Sequence, residues 1–208
     1  MDAQQLAKHP LFAGAGEIGD VLTRLRARSE RFAKGARILH AGERCMKMGI
    51  LLSGSAEIVR EDAGGDPVTV ALVGAGELFA EAFACSGEPL TVSVTAREGA
   101  EVLWLDAAPL SGGNEPRLCA NALRLFARKN VFLNERIRHL SRRSLEEKVL
   151  SYLCSARSFA GRETFSVPFD RQGLADYLGC DRSALSAVLS KLKKRGVLDF
   201  HKSTFRLL

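Results

Sequence analysis

The sequence predicts an α+β chain in three parts: a strand-rich unit over residues 1–113, one long helix over 114–141 and a small helical unit closed by a hairpin over 142–208. Three observations carry this prediction. Short alternating apolar runs broken by glycine fill the stretch from Phe32 to Leu105. No Gly or Pro interrupts the chain between Pro116 and Ser144, where apolar residues fall in a heptad. Near the end, two segments with apolar steps of three and four meet at Gly179-Cys180-Asp181.

The elements follow in order. Residues 1 to about 28 read as one or two short helices, with Ile18, Val21, Leu22 and Leu25 at helical spacing. The runs ARILHAGE, MGILLSGSAEIVRED, PVTVALVGAGELF and LTVSVTAREGAEVLWLD then read as strands of an antiparallel barrel or double-sheet roll. Ala63-Gly64-Gly65-Asp66 is a hairpin turn, because paired glycines supply positive φ at no steric cost. Trp104 is expected at a sheet edge, as packing rather than chemistry.

Pro116 suits the first turn of the long helix. Cys119, Phe126, Leu133 and Leu140 occupy one heptad position, and Leu123 and Ile137 the other, with Asn130 midway between them. Against a twin helix, two Asn130 side chains would bond to each other and fix the register of a dimer. The helix should end near Leu140, at the polar break Ser141-Arg142-Arg143-Ser144. Ser144 then caps the next helix, and Val149, Leu150 and Leu153 face its core. Phe165-Ser166-Val167-Pro168-Phe169 is a short strand leading into the final helix pair.

That pair is a helix-turn-helix. Ala175 is small where the second helix must cross the first, Gly179 can take the positive φ that reverses the chain, and Asp181 can cap the second helix. With Leu174, Leu178, Leu185 and Val188 in the joint, the outward face carries Arg182, Ser183, Ser186, Ala187, Ser190, Lys191 and Lys194. Val197 to Phe200, the polar turn His201-Lys202-Ser203 and Thr204 to Leu208 alternate like a two-stranded wing, with Lys202 at its tip.

Composition narrows the function. Apolar residues make up 46% and charged residues 26% of the chain, ordinary values for a globular protein. No run of eighteen apolar residues and no signal peptide is present, so a cytoplasmic protein without membrane partners is expected. The formal charge of +6 is unevenly spread. Residues 114–208 hold 19 Lys and Arg against 9 Asp and Glu, and residues 1–113 hold 11 against 15. A basic end of this kind expects a polyanion partner. Cys45, Cys85, Cys119, Cys154 and Cys180 include no C-x-x-C pair, so neither a zinc ribbon nor a compact iron-sulfur motif is written here, and reduced thiols are expected. His40 is the one histidine between Phe32 and Leu105, so neither a metal-dependent enzyme site nor haem is expected in the strand-rich half.

The stretch DRQGLADYLGCDRSALSAVLSKLKKRGVLDFHKSTFRLL resembles the winged helix-turn-helix of the Crp/Fnr family of bacterial regulators, grouped around the cyclic-AMP receptor protein and the fumarate-nitrate regulator. Gly42, Gly49, Gly54, Gly74 and Gly76, followed by Glu77-Leu78-Phe79, are similar to that family's cyclic-nucleotide-binding β-roll, so the resemblance covers nearly the whole chain. It implies a non-enzymatic, homodimeric DNA-binding regulator of transcription, with double-stranded DNA, RNA polymerase and a small effector as partners. In the recognition helix Arg182 matches the family's first base-reading cation, flanked by Ser183, Ser186, Ala187 and Ser190. Gln172, Lys191, Lys194 and Lys202 would hold phosphates. The pocket departs from the nucleotide-binding members, which hold the ligand with Gly-Glu and clamp its phosphate with Arg-Ser or Arg-Thr. Here those positions read Ala80-Glu81 and Leu90-Thr91. Without the arginine a buried phosphate loses a charge-assisted bond of about 1.5–3 kcal/mol. Cyclic AMP is therefore not the expected effector, and the family's N-terminal iron-sulfur cysteine cluster is also absent. Leu72, Phe79, Phe83 and Leu90 are the expected pocket walls, with Glu81 and Thr91 as polar contacts. The resemblance also brings Asn130 of a second copy toward the ligand.

Overall fold

The computed structural model describes residues 3–61, 67–111 and 115–208; the expected turn at Ala63-Gly64-Gly65-Asp66 lies outside them. The chain divides into two compact units, Met1–Phe126 and Ala127–Leu208.

The first unit opens with α1 (Ala3–Ala7), a 3-10 turn (Pro10–Phe12) and α2 (Ile18–Arg24). Strands follow: β1 (Arg28–Phe32), β2 (Arg37–Leu39), β3 (Lys47–Ser53), β4 (Ala56–Glu61), β5 (Pro67–Val73) and β6 (Leu78–Phe79). Helix α3 (Glu81–Ser86), β7 (Ser93–Ala96), β8 (Ala100–Asp106) and α4 (Ala108–Ser111) complete it. Two antiparallel four-stranded sheets result, with strand orders β1-β8-β3-β6 and β2-β7-β4-β5. Strands β3 and β8 of the first sheet are buried on both faces. Met48, Ile50, Leu103 and Leu105 pack with Leu11, Phe12, Val21 and Leu25 of the N-terminal segment, while Leu51, Val102 and Trp104 pack with Val73, Val94 and Ala96 of the other sheet. Burial on both sides explains why MGILL and EVLWL read as continuous apolar runs.

Two sequence expectations need correction. Trp104 does not sit at a sheet edge: β8 lies between β1 and β3, and the indole stacks edge-to-face on Phe79 at 5.6 Å while its Nε1 donates to Glu30 Oε2 at 2.9 Å. Residues 28–32, read as mostly outside the strands, form β1, whose polar sequence RSERF pairs with β8 through its backbone. Gly54 has φ +81°, and a Cβ there would lie 2.3 Å from the Gly99 carbonyl oxygen.

Helix α5 (Pro116–Leu140) starts at its proline and ends where the sequence predicted. Its first turns belong to the first unit: Leu118 and Ala122 are buried in that core, and Asn121 Nδ2 donates to the carbonyls of Leu11 (2.9 Å) and Ala13 (2.8 Å).

The second unit holds α6 (Leu145–Ala160), β9 (Thr164–Ser166), α7 (Arg171–Leu178), α8 (Arg182–Lys194), β10 (Leu198–His201) and β11 (Thr204–Leu207). Ser144 caps α6 in a reciprocal box: Glu147 N–H donates to Ser144 Oγ (3.2 Å), and Ser144 N–H donates to Glu147 Oε2 (3.3 Å). The strands form one small sheet, ordered β10-β11-β9. Val149, Leu153, Phe165, Leu174, Leu178, Leu185, Leu189 and Phe205 fill the core. Beside it lies an aromatic nexus. The buried Tyr177 ring meets Tyr152 (5.1 Å), Phe169 (5.2 Å), Phe132 (5.6 Å) and His139 (6.2 Å), and the Arg136 guanidinium lies 5.6 Å over it. Arg136 also donates to the carbonyls of Tyr177 and Asp176, both at 3.0 Å, tying the end of α5 to α7.

Two buried histidines make stability depend on pH. His9 accepts the Leu11 N–H at Nδ1 (3.2 Å); burial pushes its pKa down, against a smaller rise from a hydrogen bond with the Gly76 backbone. His139 lies 2.9 Å from Ser151 Oγ, and burial, then Arg138, lower its pKa more than Glu135 raises it. In both, the folded pKa is below the unfolded value of about 6.5, so the unfolded chain binds more protons in between. Stability should hold above neutral pH and fall as pH drops through about 6.5, by at most about 1.4 kcal/mol per pH unit for each histidine. Urea midpoints at pH 7.5, 6.5 and 5.5 measure this, and His139→Gln should flatten the slope.

Candidate nucleic-acid interface

The helix-turn-helix is built by local chemistry. Asp170 caps α7, its Oδ1 accepting the Gly173 N–H at 2.7 Å. Gly179 ends α7 in the left-handed region at φ +63°, and Cys180 N–H closes onto the Ala175 carbonyl at 3.1 Å. Ala175 is fully buried at the crossing. Asp181 holds the extended N-cap backbone of α8, but its side chain makes no capping bond, unlike the sequence expectation.

At 100° per residue, the buried Leu185, Leu189 and Leu192 fix which side of α8 faces out. Ser183, Ala187, Ser190 and Lys194 stand exposed at the centre of that outward face. Arg182 is exposed on one flank; Ser186 is half-buried, with its Oγ donating to the Arg182 carbonyl at 2.8 Å. Arg182, Ser183 and Ser186 together line a shallow open hollow. Lys191 lies on the opposite flank, where its Nζ pairs with Glu146 Oε2 at 3.1 Å. Gln172 is exposed on α7 and donates to Asp176 Oδ1 at 2.8 Å.

The wing forms as read, with Lys202 exposed at its tip and in the left-handed region at φ +52°. It is strapped to α7 by a residue that sequence reasoning missed. The Arg171 guanidinium sits 5.1 Å over the Phe200 ring and 5.9 Å from Phe205, and donates to the Lys202 carbonyl at 3.3 Å. Burial, then the charge of Arg182, lower the Arg171 pKa. On the same flank Lys193 pairs with Asp199 at 2.6 Å. A signal for Arg171 was present: it occupies the first turn of α7, as Arg182 does of α8, where the helix dipole disfavours a cation.

The predicted effector residues differ in burial. Phe79 is 2% exposed, filling the space over Gly49, so its ring belongs to the core between the sheets. Leu90 is buried, and Glu81 is buried at the start of α3, directly after Ala80, whose φ of +60° is one that glycine adopts without strain. Phe83 is half-buried, while Thr91 and Leu72 are exposed, Leu72 in line with Val68 and Val70 on β5. Of the helix seam, Cys119 is half-buried and donates to the Leu110 carbonyl (3.1 Å), Phe126 packs on the first core, and Leu140 lies 3.7 Å from where a Gly179 Cβ would stand. Leu123, Leu133 and Ile137 are exposed by 69%, 53% and 60%, and the exposed Asn130 accepts from Asn134 Nδ2 at 2.8 Å.

Comparison with known proteins follows this division of the chain. A family model described as the cyclic nucleotide-binding domain matches residues 29–111, and one described as the Crp-like helix-turn-helix domain matches residues 147–208. The chain belongs to the Crp/Fnr family. This Crp/Fnr chain is 29% identical over 94 residues to the "Probable transcriptional regulator flp" of Lacticaseibacillus casei; the match takes in 45% of the chain and spans 43% of that relative's length. The catabolite activator protein of Thermus thermophilus shares the fold at a TM-score of 0.51 and 24% identity, over 96% of this chain and 93% of that one. CprK in complex with OCPA does so at 0.66 and 16%, over 90% and 91%. Among the described residues, no helix is long and apolar enough to cross a membrane, and no three His, Cys, Asp or Glu side chains gather as metal ligands.

Proposed function

We propose that the protein is a homodimeric, DNA-binding regulator of transcription, with α8 as its recognition helix and an effector site in the β-roll. The observation that carries this reading is the free outward face of α8, where Arg182, Ser183, Ala187, Ser190 and Lys194 stand exposed beside the cationic wing tip Lys202. Short polar side chains let the helix enter a major groove, Arg182 can pair with guanine O6 and N7, and Lys194, Lys202 and Gln172 suit the flanking phosphates. The exposed Leu123, Leu133 and Ile137 on α5 favour a second copy as the cover of that face, with Asn130 setting the register. A twofold dimer reads an inverted repeat whose half-sites lie about 10 bp apart, centre to centre. Effector binding would bias the dimer between arrangements, and RNA polymerase would be the protein that reads the result. The effector is not cyclic AMP in this reading, since Leu90-Thr91 replaces the phosphate clamp.

The test uses an operator selected from a pool of random duplexes. Arg182→Ala should weaken binding to that operator by about 1–3 kcal/mol and leave binding to unrelated duplex nearly unchanged. Equal loss on both duplexes would make Arg182 a phosphate contact, and failure of the wild type to select any sequence would remove the reading.

A further inference from the structure

Glu146 stands in the first turn of α6 and takes two cations at once, Lys191 of α8 and Arg195 at that helix's C-cap. Lys191 Nζ lies 3.1 Å from its Oε2, and Arg195 Nη1 donates to its Oε1 at 2.5 Å. The two cations are four residues apart, one helical turn, so both reach a single carboxylate from the same flank of the helix. That flank adjoins the outward face bearing Lys194 and Ser190, and the Lys191 side chain remains 64% exposed. These bonds hold the Glu146 carboxyl below the usual carboxylate range, so it is ionised at neutral pH. A carboxylate with two charge-assisted hydrogen bonds occupies its cations much as a phosphate would.

We propose that Glu146 is a built-in competitor for DNA phosphate: it occupies Lys191 and Arg195 in the free protein and so limits the affinity of α8 for any duplex. This rests on α8 being the DNA-reading helix. The second flank of α8 shows the contrast. There Arg171 of the neighbouring α7 is held by aromatic rings and a backbone carbonyl and has no carboxylate partner among the described residues, which suits it to a phosphate, while Lys193 is paired with Asp199. The cations of the helix are therefore sorted. Arg182 and Lys194 have no carboxylate partner among the described residues, and Lys191, Arg195 and Lys193 are engaged. Glu146 acts through these cations rather than by touching DNA, and it sets how much of the attraction is nonspecific.

The experiment measures binding of the full-length protein to a fluorescent 30-bp duplex of arbitrary sequence between 50 and 200 mM salt. Glu146→Gln keeps the shape and removes the charge. The variant should bind more tightly at 50 mM and show a steeper salt slope, by about 0.9 for each phosphate gained, so that across this range it loses about 3.5-fold more affinity per added contact than wild type. Glu146→Asp should stay near wild type, and Lys191→Gln with Arg195→Gln in the Glu146→Gln background should return the slope toward wild type. Thermal melting confirms that each variant is folded. An unchanged slope, or weaker binding by a folded Glu146→Gln protein, overturns the proposal while leaving DNA binding by the wild type intact. A wild type that binds no duplex in a salt-dependent way removes the DNA-binding reading, and this one with it.

Discussion

Tyr177→Ala will cost the second unit about 3–5 kcal/mol, the range for emptying a buried large aromatic site. Tyr177 is 6% exposed and its ring touches four other rings from α5, α6 and the segment before α7. Truncation removes all of those contacts together with the surface over which Arg136 lies. It also opens the side of His139 that faces the ring, while leaving the hydrogen bond to Ser151 in place. Because the residue lies on the first helix of the helix-turn-helix, the loss should appear as faster amide exchange across residues 127–208, with residues 1–126 largely unaffected. Hydrogen exchange read by mass spectrometry separates the two, and uniform loss in both units would show that the nexus is not local to its unit. Tyr177→Phe should retain most of the stability, since no hydrogen bond to the hydroxyl is part of the packing described.

Gly54→Ala will destabilise the first unit by at least about 1–2 kcal/mol, the cost of a left-handed backbone for an L-residue. The steric term adds to this. At φ +81° the new methyl would stand 2.3 Å from the Gly99 carbonyl oxygen and 2.9 Å from the Ala100 Cα, and both neighbours are backbone, unable to rotate away. Gly54 sits between β3 and β4 against the start of β8, so the strain falls on the strands that join the two sheets. Chemical denaturation followed through Trp104, the chain's one tryptophan, reports this unit directly. A variant as stable as wild type would mean that the β3–β4 connection shifts at little cost.

What could be read from the sequence was what neighbouring residues decide. The corner at Gly179, the capped start of α6 at Ser144 and the stop after Leu140 each rest on a side chain acting on backbone a few positions away. The wing and the glycine-bounded strands were legible for the same reason. Strand β1 was not, because RSERF is polar and owes its conformation to the partner strand β8. Nor was α3, which starts after a left-handed Ala80, a conformation that alanine does not advertise. In the candidate site the outward residues Arg182, Ser183, Ala187, Ser190 and Lys194 were legible from helical spacing. Lys191 was taken as one more free cation because Glu146, its partner, is 45 positions earlier and meets it only in the folded unit. Arg171 was passed over because its stacking on Phe200 depends on where the wing returns.

The break between α5 and α6 has a mechanical meaning. Ser141 Oγ and Arg142 N–H bond back to the carbonyls of Ile137 and His139, Arg143 N–H bonds forward to Glu147, and Ser144 closes its own reciprocal box, so four consecutive residues are pinned, two backward and two forward. Straightening this elbow into one uninterrupted rod would surrender the forward-facing bonds together. Torque applied along α5 would therefore be passed on as the turning of a stiff crank, and not as the melting or lengthening of a coil.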